Sequence, residues 1–72
     1  MKVLVFKTNI QSEGKVQQVR SLFSRHNAVL KLTVDTDDED KVLRIETRNN
    51  LKEKEVVSLV QQSGFQCEVL NY

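Results

Sequence analysis

The sequence predicts an α+β sandwich, with two helices on one face of a four-stranded antiparallel sheet. Three observations carry this. Segments 12–25 and 51–62 repeat apolar residues at helical spacing on one side only. Segments 28–35 and 41–47 alternate apolar and polar residues, as the strands of a half-wet hairpin do. Short runs rich in β-formers, 2–8 and 65–70, begin and close the series. The order is βαββαβ, in two half-units of similar plan. Right-handed crossovers then put the first and third strands in the middle, in spatial order 4-1-3-2. This is the ferredoxin-like plan.

The first strand, Lys2 to Thr8, has apolar residues on both faces: Val3 and Val5 on one, Leu4 and Phe6 on the other. That predicts a central strand with at least partial cover on each side. A polar stretch, Asn9 to Gly14, is broken only by Ile10. Ser12 is the expected N-cap and Glu13 suits the first turn of the helix that follows. That helix runs to about Arg25. Val16, Val19, Leu22, Phe23 and His26 fall within an arc of ~120°. His26-Asn27 should stop it, with Asn27 left-handed.

In the second strand, Ala28 to Asp35, the alternation turns Leu30, Leu32 and Val34 inward. The turn Thr36 to Asp40 is too acidic to pair. The third strand, Lys41 to Thr47, turns Leu43 and Ile45 inward and Val42, Arg44 and Glu46 outward. Asn49-Asn50 should end it, and Asn50 with Glu53 resembles a capping box. The second helix, Leu51 to Gln62, offers Val56, Leu59 and Val60 as its buried stripe, with Val57 on the flank. Gly64 stands where a left-handed C-cap is expected. The last strand, Phe65 to Leu70, aligns Phe65, Cys67 and Val69 on one face; Asn71 and Tyr72 should fray. Lys31, Asp35 and Glu68 suit exposed edges.

The size, 72 residues, predicts a single domain over 1–72. A formal net charge of +1 creates no global field for nucleic acid or an anionic membrane. No apolar run nears the roughly 20 residues of a membrane span. The start, MKVLVFKTN, is too short in apolar residues for a signal peptide, so the expected location is cytoplasmic. Cys67 stands alone, which excludes an internal disulfide framework or an all-cysteine metal site within one chain.

With its order of elements, VFKTNIQSEGKVQQV at the start and SGFQCEV near the end, the chain resembles the heavy-metal-associated domain of small copper chaperones and metal-transporting ATPases. The resemblance spans Lys2 to Leu70. The family's loop reads Met-x-Cys-x-x-Cys. Here Ile10 takes the Met position, Ser12 the first Cys and Lys15 the second. Gly14 matches a Gly common in relatives, and Phe65 the aromatic beside the metal loop. The family's thiolates bind Cu(I) at a helix start, where the N-terminal dipole favours the anion. Ser12 has no accessible alkoxide, and Lys15 brings an ammonium where a cation would sit. The expectation is therefore a degenerate site, with no metal and no cofactor.

Other candidates have plainer readings. Asp35, Asp37, Asp38, Glu39 and Asp40 lack the Gly and distal Glu of an EF-hand loop, and read as a solvated tip. His26 reads as a partly buried, hydrogen-bonded residue meeting the helix dipole, and Cys67 as an inert buried thiol. A ligand role for either stays open. Lys7, Lys15, Arg20 and Arg25 could form a basic patch, but no aromatic residues are interleaved with them, which speaks against RNA. No nucleophile–base pair or shared carboxylate pair supports catalysis. The resemblance implies a non-catalytic module that docks a protein partner or a second copy through Ile10, Gln11, Ser12, Glu13, Gly14, Lys15 and Phe65. The alternative is a metal-binding or trafficking protein with unconventional ligands.

Overall fold

The computed structural model describes residues 2–48 and 51–70. Its elements are β1 (Lys2–Thr8), α1 (Glu13–Phe23), β2 (Val29–Asp35), β3 (Val42–Thr47), α2 (Glu53–Gln62) and β4 (Cys67–Val69). The sheet order is β2-β3-β1-β4, and all three pairings are antiparallel. This is the expected order read from the other edge.

β1 pairs with β3 from Lys2↔Thr47 to Phe6↔Leu43, and with β4 from Phe6↔Val69 to Thr8↔Cys67. Leu4, Phe6 and Thr8 point inward and are buried. Cover on the second face is thinner than two apolar faces suggested: Val5 is half-buried and Val3 is 50% exposed. The core gathers Phe6, Leu43 and Ile45 from the sheet, Val16, Val19 and Phe23 from α1, and Val56 and Val60 from α2. Ile10 and Leu51, which lie outside the regular elements, complete it.

Both helices are shorter than their periodicity implied. α1 ends at Phe23, with Ser24 as a right-handed C-cap. Asn27 is not left-handed; Lys41, at φ 46°, is the non-glycine residue with positive φ among the described residues. Leu22 stays at the surface, and Leu59 is only half-buried. α2 starts after Lys52, whose side chain makes no capping bond. Its start is fixed by apolar contacts instead: Leu51 and Val56 hold the two positions of a hydrophobic staple and both belong to the core. The expected cap Asn50 lies outside the described residues, as do Asn49, Asn71 and Tyr72.

Gly64, at φ 91°, closes α2 as expected. Gly64 N–H donates to the Gln61 carbonyl at 3.0 Å and Phe65 N–H to the Val60 carbonyl at 3.4 Å. Those two bonds are the Schellman pattern. The chain therefore turns through Phe65 and Gln66 before β4, which is three residues rather than six.

β2 departs from simple alternation. Val29 pairs with Thr47 and Lys31 with Glu46, so Leu30 is an extra residue, a bulge. The bulge shifts the phase of the strand. Leu30 is 49% exposed instead of inward, while Val29 packs against the core. Arg20 Nη2 donates to the Leu32 carbonyl of this edge strand at 3.4 Å. Val42, expected outward, is 8% exposed yet lies outside the core cluster. The acidic turn folds back near it, and Asp35 and Asp38 share a small cavity with it.

Candidate functional site

Three connections meet at the Thr8 end of β1: residues 9–12, the hairpin tip 36–41, and residues 63–66. Thr8 joins the first two. Its hydroxyl donates to the Lys41 carbonyl and accepts from Ile10 N–H at 3.2 Å. Thr8 N–H also donates to the Asp40 carbonyl at 3.0 Å. Asn9 ties in the third connection, its Oδ1 accepting from Gln66 N–H at 2.8 Å. These two polar residues do not stand out in the sequence beyond ending a strand. Asn commonly accepts backbone N–H bonds in turns, but a partner 57 positions away leaves no local signal.

Within this frame Ile10 is fully buried. It therefore cannot contact a partner, and the expectation that it belongs to a docking surface is corrected. Its role is to anchor the loop, and burying such a side chain contributes about 1.5–3 kcal/mol. Gln11, Ser12, Glu13, Gly14 and Lys15 are all exposed, and Phe65 is half-buried and lines a cavity with Lys7, Thr8 and Gln61. Ser12 is the N-cap of α1: its backbone is extended, and its Oγ accepts from Lys15 N–H at 3.4 Å. The Ser12 carbonyl accepts the next bond, from Val16 N–H at 2.9 Å. The two positions matched to the family's cysteines thus face one another across a capping bond.

Charge at this pole differs from the loop read alone. Gln11 to Lys15 is neutral to basic, but the tip brings Asp37, Asp38, Glu39 and Asp40 to the same end. The tip is built by its own carboxylates. Asp35 Oδ1 accepts from the N–H groups of Asp37 and Asp38, both at 3.2 Å, and Asp38 Oδ1 from Asp40 N–H at 2.8 Å. Lys41 Nζ donates to the Thr36 carbonyl at 2.8 Å, and Lys7 Nζ lies 3.6 Å from Asp40 Oδ1. Asp35 and Asp38 are thus occupied as turn formers. No cluster of three metal-ligating side chains occurs among the described residues.

Cys67 lies at the same pole, opposite Thr8 in the β1–β4 register, but points into the core and is 5% exposed. Burial, and secondarily the neighbouring Glu68 carboxylate, pushes its thiol pKa up from 9.0 to about 11. At neutral pH it is a protonated, apolar core residue. His26 is at the far end of the sheet. It is half-buried, and its Nδ1 has no hydrogen-bond partner among the described residues, contrary to expectation. Because α1 stops three residues earlier, the ring instead stands beside Phe23, with centroids 6.5 Å apart. The basic patch is also split: Lys7 pairs with the tip, Arg20 bonds the Leu32 carbonyl in the middle of β2, and Arg25 lies at the His26 end. No described helix is long and apolar enough to cross a membrane.

No protein-family profile matches the chain. No curated protein sequence matches it either. Solved structures do. A copper binding domain from HMA7, a P-type ATPase, superposes with a TM-score of 0.83 at 18% identity, over 99% of this chain and 96% of that one. The yeast copper transporter domain Ccc2a gives 0.80 at 11% identity, over 99% and 97%. The first domain of the human copper chaperone for SOD1 gives 0.76 at 24% identity, over 93% and 89%. At these identities the likeness is one of backbone, and it runs nearly end to end. The chain has the ferredoxin-like fold of heavy-metal-associated, copper-chaperone-type domains.

Proposed function

We propose that the chain is a small non-catalytic interaction module of the cytoplasm, a heavy-metal-associated-like scaffold that docks a protein partner or a second copy without a metal. One observation carries the reading. The two positions matched to the thiolate pair are Ser12 and Lys15, and the Ser12 oxygen is already used as a helix cap. The docking face is Gln11, Ser12, Glu13, Gly14 and Lys15, with Phe65 at its rim and the acidic tip alongside. Complementary charge on a partner would steer and orient docking more than strengthen it. Such a partner presents basic groups to Asp37–Asp40 and acidic groups to Lys15.

The test pairs gel filtration and light scattering with affinity capture, using the chain and a Ser12→Glu/Lys15→Glu variant. The reading expects a dimer or a captured partner that the variant loses. A strict monomer that captures nothing, or a variant that keeps the same partners, refutes it.

The metal reading has less support. Cys67 would have to lose a proton that burial retains and leave the core, and His26 lies at the opposite pole. Metal ligation requires deprotonated donors that converge. Titration with Cu(I) and Zn(II) is expected to show no binding tighter than micromolar. Tighter binding to the unmodified chain would restore that alternative.

A further inference from the structure

The pole opposite the loop holds a different arrangement. An open cavity of about 450 Å³ is lined by Arg25, His26, Asn27, Ala28 and Arg48. Three of these five side chains are basic and none is acidic. The backbone there is fixed on both sides. His26 N–H donates to the Phe23 carbonyl at 3.0 Å, Val29 N–H to the His26 carbonyl at 3.1 Å, and Arg48 N–H to the Ala28 carbonyl at 2.8 Å. The last bond clamps the end of β3 to the turn after α1, so two guanidiniums from distant parts of the chain are brought to one cavity.

Neither guanidinium makes an ion pair or a hydrogen bond among the described residues. The same end holds both of the buried side-chain polar atoms that lack a partner among those residues, His26 Nδ1 and Thr47 Oγ1. Of the two residues, His26 belongs to the cavity lining and Thr47 does not, so one polar group that the described residues leave unpaired adjoins this basic cavity. In a chain of net charge +1, two forks of guanidinium donors without a carboxylate are a local concentration of positive charge.

We propose that this cavity binds a small tetrahedral oxyanion of the phosphate class. Guanidinium donors are planar forks that match two phosphate oxygens at once. The Asn27 side-chain amide adds a neutral donor at the rim. The site stands apart from the docking face and does not depend on it.

The experiment is an amide and Arg side-chain NMR titration of the full chain at constant ionic strength. Inorganic phosphate and glycerol 3-phosphate serve as separate arms, with chloride as the control. Saturable shifts confined to residues 25–28 and 48 are expected with phosphate, and tighter binding of the ester would identify a phosphate monoester as the preferred form. Arg25→Gln and Arg48→Gln should each weaken binding about tenfold, the loss typical of one charge-assisted hydrogen bond. Both positions are exposed, so both variants should keep the parent's thermal midpoint. Shifts that fail to saturate, that chloride reproduces, or that persist in the Arg25→Gln/Arg48→Gln double variant overturn the proposal.

Discussion

Replacing Thr8 by Val removes the hydroxyl that joins the loop to the hairpin tip while keeping the shape of the side chain. Thr8 is 7% exposed, and its oxygen serves two backbone groups. Ile10 N–H would be left inside the protein, since Ile10 has no exposed surface. A buried donor without an acceptor costs about 1–3 kcal/mol. Lys41 is half-buried as a residue and its bond to Thr8 is only partly buried, so losing that bond is assigned the smaller cost of ~1 kcal/mol. Together these predict a destabilisation of about 2–4 kcal/mol. In a domain this small that corresponds to a fall in Tm of roughly 10–25 °C. Urea unfolding at equilibrium measures it, with an unchanged m-value showing that the native state alone is affected. Thr8→Ser keeps both bonds and should lose only about 1 kcal/mol, for the missing methyl. Amide exchange at Ile10 should accelerate in Thr8→Val and not in Thr8→Ser. A Thr8→Val variant within about 0.5 kcal/mol of the parent, or equal losses in both variants, would refute the idea that this hydroxyl holds the loop.

Three further outcomes follow from the same geometry. Ser12→Cys/Lys15→Cys should acquire Cu(I) affinity in competition with a chromogenic chelator, because the helix start and its dipole are already in place; failure means the loop positions are misaligned with the family's. Gly64→Ala should cost about 1–2 kcal/mol in thermal unfolding, purely from its backbone conformation, since an added Cβ meets nothing within 4 Å; Gly64→Asn should cost less. Cys67 has a folded pKa raised to about 11 from 9.0, so the unfolded chain releases the proton first as pH rises. The stability this contributes is complete below pH 9 and declines between 9 and 11. Cys67→Ala should lack that part of the slope, and an identical slope in both proteins would contradict it.

The architecture was legible because its signals are local and repeated. β1 matches its expected bounds, and the arcs of both helices name the residues that are buried, Val16, Val19, Phe23, Val56 and Val60. Gly64 and Ser12 act as their residue types suggest. What was not legible depends on register or on distant partners. Alternation along 28–35 cannot reveal that β3 skips Leu30, because the bulge exists only in the pairing. Asn27 is the usual residue for positive φ, but the chain places that conformation at Lys41, where one bond from its Nζ to Thr36 and one from Thr8 to its carbonyl compensate the strain. At the site, the composition of the loop could be read directly. Which of its residues is out of reach could not: Ile10 looks like an apolar residue in a polar loop until the tip and the loop are fastened over it.

The two edges of the sheet bear on how copies of this chain would behave side by side. On β2 the bulge at Leu30 breaks the regular ladder and Arg20 occupies the Leu32 carbonyl, while β4 offers only three residues. An approaching strand would need to evict a side chain at one edge and would find too short a template at the other. Strung in tandem, or crowded at high concentration, such units resist zippering into a continuous sheet. Each can then present its loop pole independently, as separate beads rather than as one fused surface.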